Sequence, residues 1–234
     1  MATIDFASKQ VLSFDCYGTL IDWETGILAA LRPILSRHGV TVDADRMLTL
    51  YGEIESTAEH GPYRPYREVL TAVVSELGTR LGITISGADA ARFADSVGDW
   101  PPFADTRAAL AALKHRFRLA IISNVDDDLF ARTNQQLGVE FDWIVTAQQV
   151  GSYKPSPNNF HHALARFGLP KAAILHVAQS LFHDHVPAKQ LGLDTVWLNR
   201  RHGKAGFGAT PPATARPDLE VPDLATLARL ANAT

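Results

Sequence analysis

The chain has 234 residues, of which 46% are hydrophobic, enough to bury a sizeable core in one larger domain plus an insertion. Its formal net charge of −3, from 22 Lys and Arg against 25 Asp and Glu, excludes a broad nucleic-acid-binding surface. The one cysteine, Cys16, excludes an internal disulfide and fits a reducing compartment.

The first apolar run, Val11-Leu12-Ser13-Phe14, reads as a buried strand and opens into Asp15-Cys16-Tyr17-Gly18-Thr19-Leu20. A carboxylate where such a strand ends suits the mouth of a parallel sheet. Between residues 22 and 100 the strand pattern stops. Ile27, Leu28, Leu31, Ile34 and Leu35 recur at helical spacing, as do Val69, Leu70, Val73, Val74, Leu77 and Leu81, with Gly61-Pro62 as a break and Pro65 suited to a first helical turn. Trp100-Pro101-Pro102-Phe103 marks a return to the sheet pattern, and Asp105 to His115 reads as a helix.

A second strand, Leu119 to Ile122, ends in Ser123-Asn124. A third, Trp143 to Thr146, leads to Gly151-Ser152-Tyr153-Lys154-Pro155, with a helix expected over 158–167. A fourth, Ala173 to Ala178, opens into Gln179-Ser180-Leu181-Phe182-His183-Asp184, followed by a short helix over 186–191 and a strand over 195–198. The Gly- and Pro-rich segment 203–212 reads as a surface loop, or as a flap carrying Phe207 over the site, and a closing helix is expected over 223–231. The alternation implies an α/β protein with a doubly wound, mostly parallel, Rossmann-like sheet. Residues 1–21 and 101–234 would form this core and 22–100 an inserted helical cap.

Separate strand ends thus deliver Asp15, Ser123 with Asn124, Lys154 and Asp184, the way a site is assembled on such a sheet. An ammonium about 4 Å from a carboxylate is worth roughly 4 kcal/mol at an effective dielectric of 20, so Lys154 is expected to favour ionised Asp15. His183-Asp184-His185 does not read as a metal centre, because three adjacent side chains on a regular element cannot face one ion.

The four motifs, in this order, resemble the haloacid dehalogenase superfamily of aspartate-nucleophile hydrolases, and Phe14 to Leu20 resembles its type II 2-haloacid dehalogenase branch. Ile21 to Ile27, Gly151 to Pro155, His183-Asp184-His185 and Arg200-Arg201-His202-Gly203 are similar to members that open the ring of L-azetidine-2-carboxylate. The resemblance implies a core sheet with a helical cap and Asp15 as nucleophile. Phosphatases of the superfamily carry a second aspartate where this chain has Tyr17, and a magnesium-holding aspartate where it has Gln179, so a phosphatase is disfavoured.

The implied reaction is displacement at the α-carbon of a small carboxylic acid through an aspartyl ester on Asp15, with no metal and no cofactor. Asp184, or His183 beside it, would activate the hydrolytic water. Ser123, Asn124 and the backbone N–H groups after Asp15 would hold the substrate carboxylate and the developing oxyanion, while Thr19 braces the nucleophile loop. Cys16, Tyr17 and Trp23, next to the nucleophile, are candidate substrate contacts. The branch has a halide-receiving arginine in the early cap, where Leu50-Tyr51-Gly52-Glu53 offers none; Arg64 and Arg67 are the candidates to replace it. A binding protein that has lost turnover is the non-enzymatic alternative, disfavoured by the joint presence of Asp15, Lys154 and Asp184.

The expected partner is a small carboxylic-acid substrate, with no nucleic acid and no membrane; a homodimer is compatible with the sequence without being specified by it. Met1 to Phe6 lack the basic start and long apolar stretch of a signal peptide, and no segment approaches the ~18 apolar residues of a membrane span, so a cytoplasmic location is expected.

Overall fold

The computed structural model describes residues 4–233; Met1 to Thr3, at the start of the segment read for a leader, lie outside it, as does Thr234. Six strands form one sheet: β1 (Val11–Phe14), β2 (Arg118–Ser123), β3 (Trp143–Thr146), β4 (Ile174–Ala178), β5 (Asp194–Leu198) and β6 (Leu219–Val221). Their order is β3-β2-β1-β4-β5-β6, and every pairing is parallel. The chain runs outward from β1 through β2 to β3, then crosses back to β4 on the other side of β1. That reversal makes the β1/β4 boundary the switch point, where a crevice forms at the carboxyl ends of the strands.

Period-2 alternation gives the sheet two apolar faces. Leu12, Phe14, Leu119, Ile121, Leu175 and Val177 join one cluster, and Val11, Ala120, Ile122 and Ile174 the other. The first face packs on α5 (Thr106–Lys114), α6 (Asp127–Leu137) and α10 (Leu224–Leu230) through Leu110, Leu113, Leu129, Phe130 and Leu227. The second is covered by α8 (Asn158–Phe167) and α9 (Val186–Gln190) through Phe160, Ala163 and Ala188. β1 is buried at all four residues, and a fully buried Val, Leu or Phe contributes roughly 1.5–3 kcal/mol.

Between β1 and α5 lie α1 (Trp23–Arg37), α2 (Ala44–Ala58), α3 (Tyr66–Arg80) and α4 (Gly87–Ser96). The apolar spacing predicts α1 and α3; it does not predict α2, α4, α6, the short helix α7 (Ala147–Val150) or β6. Polar residues dilute the pattern of α2 and α4, and β6 has only three residues. Among the described residues, no helix is long and apolar enough to cross a membrane.

Three connections hold these helices over the sheet edge. Pro65 precedes α3 and offers its first turn no side-chain cap; Asp126, just before α6, accepts the N–H of Tyr66 at 2.8 Å and of Arg67 at 3.0 Å instead. Arg201 pairs with Glu24 on α1 at 2.7 Å. The segment expected as a loop over 203–212 crosses to α2, where Ala209 lies against Gly52. Phe207, half-exposed, is not part of the site, whereas Thr210 reaches it.

A Cβ at Gly52 would stand 2.4 Å from the Ala209 carbonyl oxygen, a contact the backbone must move to relieve. In an open helix Gly→Ala would stabilise by about 1 kcal/mol. Here Gly52→Ala is expected to destabilise by roughly 1–3 kcal/mol, as overpacking does, and to speed proteolysis within 203–210. Thermal denaturation and limited proteolysis measure both effects; a raised Tm with unchanged cleavage would show that the contact carries no load.

Candidate active site

Asp15 follows directly on β1, Ser123 ends β2, and Gln179 and Ser180 follow β4, so neighbouring strands place these residues around one crevice. The turn after Asp15 is closed by N–H groups of Leu20 and Ile21 donating to the Cys16 carbonyl, at 2.7 and 3.0 Å. Gly18 has a positive φ of 88° there, and a Cβ would meet Trp23 Nε1 at 2.8 Å, so the turn requires glycine. The N–H groups of Gly18 and Thr19 donate to Ile21 and Cys16 carbonyls, and are therefore spent inside the loop rather than on a ligand.

The Lys154 ammonium lies between the two aspartates. It donates to Asp15 Oδ1 at 2.9 Å, to Asp184 Oδ1 at 2.7 Å and to the Ile122 carbonyl at 2.8 Å, using all three of its N–H groups. Asn124 holds the Lys154 backbone from both sides: its Nδ2 donates to the Lys154 carbonyl at 3.0 Å and its Oδ1 accepts the Lys154 N–H at 2.8 Å. Asn124 therefore braces the lysine, and the same Nδ2 reaches both Glu59 carboxyl oxygens at 3.3 Å.

Thr19 donates to Asp15 Oδ2 at 2.7 Å and accepts the Gln179 N–H at 2.9 Å, tying the loop after Asp15 to the end of β4. Asp184 sits in a π-helical turn, Leu181–His185, that precedes α9. His176, on β4, places Nε2 3.0 Å from Asp184 Oδ1, while its Nδ1 is 3.0 Å from Ser13 Oγ. With Asp184 ionised, Nε2 donates to the carboxylate.

The two carboxylates share the lysine unequally. Burial opposes ionisation of Asp184, but Lys154 and His176 outweigh it and hold its carboxyl well below the usual range. At Asp15 burial prevails over Lys154, Asp184 adds repulsion, and the carboxyl is pushed up. The expectation that Lys154 favours ionised Asp15 thus needs correction, because burial outweighs the lysine and the second carboxylate adds repulsion. Burial also lowers His183 to about 4, leaving a neutral imidazole at pH 7.

Asp15, Tyr17, Trp23, Ser123, Asn124, Lys154, His183 and Asp184 all line the cavity. Cys16 does not; its side chain is fully buried, and burial raises its thiol well above the usual range. Tyr17 spends its hydroxyl on Thr133 at 2.9 Å. Arg64 and Arg67 stay outside: Arg64 donates to the Ala58 carbonyl, and Arg67 is drawn to Asp95 and Asp128 on the protein surface. The donor set does not suit magnesium either, since Tyr17 and Gln179 offer no carboxylate and both aspartates are engaged by Lys154.

The lining residues that the sequence did not offer as site residues include Glu55 and Glu59, on and just after α2. Glu55 accepts from Tyr66 at 2.6 Å and from Tyr51 at 2.9 Å. The available signal was a glutamate continuing the apolar stripe of Met47, Leu48, Tyr51 and Ile54. A neighbouring cavity shares Glu59 and Lys154 and is also lined by Tyr63 and Phe182.

Burial raises the Glu55 carboxyl to about 7, against two tyrosine hydrogen bonds that lower it. A carboxyl raised in the folded state stabilises below its unfolded value and loses that contribution as pH rises through the folded one. Glu55→Gln should therefore be more stable than the natural protein above pH 7, by roughly 1–3 kcal/mol, with the gain gone in the acid range where both side chains are neutral. Urea titrations across pH test this; a gain that is independent of pH would contradict it.

The sequence matches the haloacid dehalogenase-like hydrolase family over residues 9–184. It is 28% identical to (S)-2-haloacid dehalogenase from Pseudomonas fluorescens over 196 residues, 81% of this chain and 84% of that one. It is 26% identical to haloacetate dehalogenase H-2 from a Moraxella species, across 88% and 92% of the two chains. The fold is similar to L-2-haloacid dehalogenase from Xanthobacter autotrophicus, solved with chloropropionic acid covalently bound, with a TM-score of 0.78, 22% identity and coverage of 96% and 98%. An aspartate at the end of a central strand of a fully parallel sheet and a match across most of the chain agree, and the protein belongs to the haloacid dehalogenase-like hydrolases.

Proposed function

We propose that the protein catalyses hydrolytic substitution of the 2-haloacid dehalogenase type, displacing a group from the α-carbon of a small carboxylic acid through an aspartyl ester on Asp15. The observation that carries this reading is the Lys154 ammonium bridging Asp15 and Asp184, with Asp184 Oδ2 and Ser123 Oγ buried in the same cavity and lacking protein partners. Dehalogenase activity of the relatives supports it.

An Asp15 carboxylate oxygen attacks the α-carbon, forming the C–O bond as the leaving group departs with its electron pair. Ser123 Oγ, with no competing partner, is free to donate to the substrate carboxylate. Esterification removes the negative charge of Asp15, and water then attacks its carbonyl carbon. Asp184 Oδ2 orients that water. The unpaired Nε2 of neutral His183, in the same cavity, takes the proton. Lys154 stays in place for the oxyanion that develops on Asp15.

Asp184→Asn should slow ester hydrolysis and spare ester formation, because the loss of Asp184 leaves Lys154 to Asp15 alone. Mass spectrometry of this variant, exposed to a panel of 2-haloacids and L-azetidine-2-carboxylate in chelator-containing buffer, is expected to find an adduct on the Asp15 peptide. In the natural protein, a single turnover in heavy-oxygen water should label Asp15 first. Label appearing directly in product, with Asp15 unlabelled, would remove Asp15 from the nucleophile role.

The hydrogen bond from Thr19 favours the ionised form of Asp15, whose carboxyl is already raised. Thr19→Val is expected to move the acid limb of the kcat/KM profile to higher pH and to lower kcat/KM by about 10-fold or more, as loss of a hydrogen bond to a charged group does, with Thr19→Ser retaining most activity. An unmoved acid limb in Thr19→Val would assign that limb to another group.

A further inference from the structure

A polar side chain interrupts the apolar run of β4. His176 stands between Leu175 and Val177 in a strand buried at every residue, and its register partner on β1 is Ser13. Alternation puts both side chains on the face of Val11 and Ile174, where Phe160 of α8 packs edge-on against the imidazole. Ser13 is 1% exposed and His176 fully buried. A hydrogen-bonded pair in such a place adds little over apolar side chains of the same shape, so packing alone gives no reason for it.

The pair does not end inside the sheet. His176 Nδ1 meets Ser13 Oγ at 3.0 Å, and Nε2 meets Asp184 Oδ1 at 3.0 Å. Asp184 is held loosely by its own backbone: in its π-helical turn, the N–H groups of Asp184 and His185 both reach the Ser180 carbonyl at 3.3 Å. Two side-chain donors place the carboxylate instead, Lys154 at 2.7 Å and His176, and they converge on Oδ1. Turning the carboxylate over would break both contacts, so Oδ2 stays without a protein partner.

These two donors differ in what else they serve. Lys154 also holds Asp15, whose charge vanishes in the ester and returns as an oxyanion when water attacks. The lysine is thus drawn to Asp15 at the moment Asp184 must hold the water. His176 has only Ser13 at its other nitrogen, and β1 and β4 fix both residues.

We infer that His176 is a positioning residue for the hydrolytic half of the reaction: its Nε2–H, seated by Ser13, holds Asp184 Oδ1 so that Oδ2 keeps the water at the Asp15 ester while Lys154 serves the oxyanion. This inference rests on the aspartyl-ester reading and gives a role to a strand residue that does not line the cavity. Ester formation does not call on it, because Asp15 attacks before any water is held.

Single turnovers, stopped at intervals and read by mass spectrometry of the Asp15 peptide, separate ester formation from ester hydrolysis. The substrate is whichever acid of the panel leads to labelled Asp15 in heavy-oxygen water. His176→Phe keeps a ring against Phe160 and removes the N–H. It is expected to form ester at close to the natural rate and to hydrolyse it about 10-fold or more slowly, as loss of a hydrogen bond to a charged group does, so that ester accumulates. His176→Gln, which can offer an N–H to Asp184, is expected to recover most of the hydrolysis rate. Equal slowing of both steps in His176→Phe, unslowed hydrolysis, or no recovery in His176→Gln would confine His176 to the core and overturn the inference. Neutron diffraction from crystals of the natural protein needs no variant to fold: hydrogen is expected on His176 Nε2, directed at Asp184, and a bare Nε2 would equally overturn it. Failure of the ester reading would appear separately, as an Asp15 left unlabelled by every acid of the panel.

Discussion

The Lys154 ammonium is the interaction around which the site is organised. Its three hydrogen bonds end on Asp15, beside β1, on the β2 carbonyl of Ile122, and on Asp184, in the turn beyond β4. These three strands are adjacent in the sheet, so one cation pins the carboxyl ends of the central strands together. A buried charge deprived of its partner costs about 3–5 kcal/mol, and here one cation compensates two carboxylates. The Asn124 amide fixes the lysine backbone on both sides, which is why its reach is set by the fold and not by the flexibility of its long side chain.

Unequal sharing of that charge divides the labour between the carboxylates. Asp184 has both Lys154 and His176 on one oxygen, leaving the other without a protein partner for water. Asp15 has Lys154 on one oxygen and Thr19 on the other, and burial keeps it more basic than Asp184. A more basic carboxylate is the better nucleophile toward carbon, and a permanently ionised one is the steadier anchor for a water molecule. The Ser13–His176 pair extends the same chain into the sheet interior, where Phe160 packs edge-on against the imidazole.

The inserted helices supply what the strand ends lack. Asp126 caps α3 from the core side, and the Arg201–Glu24 pair and the 203–210 crossing hold α1 and α2 down. These attachments bring Glu55 and Glu59 over Asp15 and turn an open crevice into an enclosed, acid-rich cavity. Withdrawal from water strengthens every charge interaction among these groups.

The sequence by itself determined the strand-end constellation. Short continuous apolar runs marked β1, β2, β3 and β4, and the polar residues that terminate those runs were bound to meet at one sheet edge, since parallel strands all point the same way. It equally marked α1 and α3, whose apolar stripes are strong. It did not reveal α2, whose buried stripe ends in Glu55, nor that Glu55 and Glu59 line one cavity with Asp15. It offered Arg64 and Arg67 as candidates for the cavity and Asn124 as a substrate contact, whereas the structure gives these side chains to Ala58, to Asp95 and Asp128, and to the Lys154 backbone. A local pattern states what a residue can offer, but its partner is chosen by distance among segments far apart in sequence. Only the packed tertiary structure decided that one ammonium would be shared by two aspartates, and that two glutamates would be buried beside them without a cation of their own.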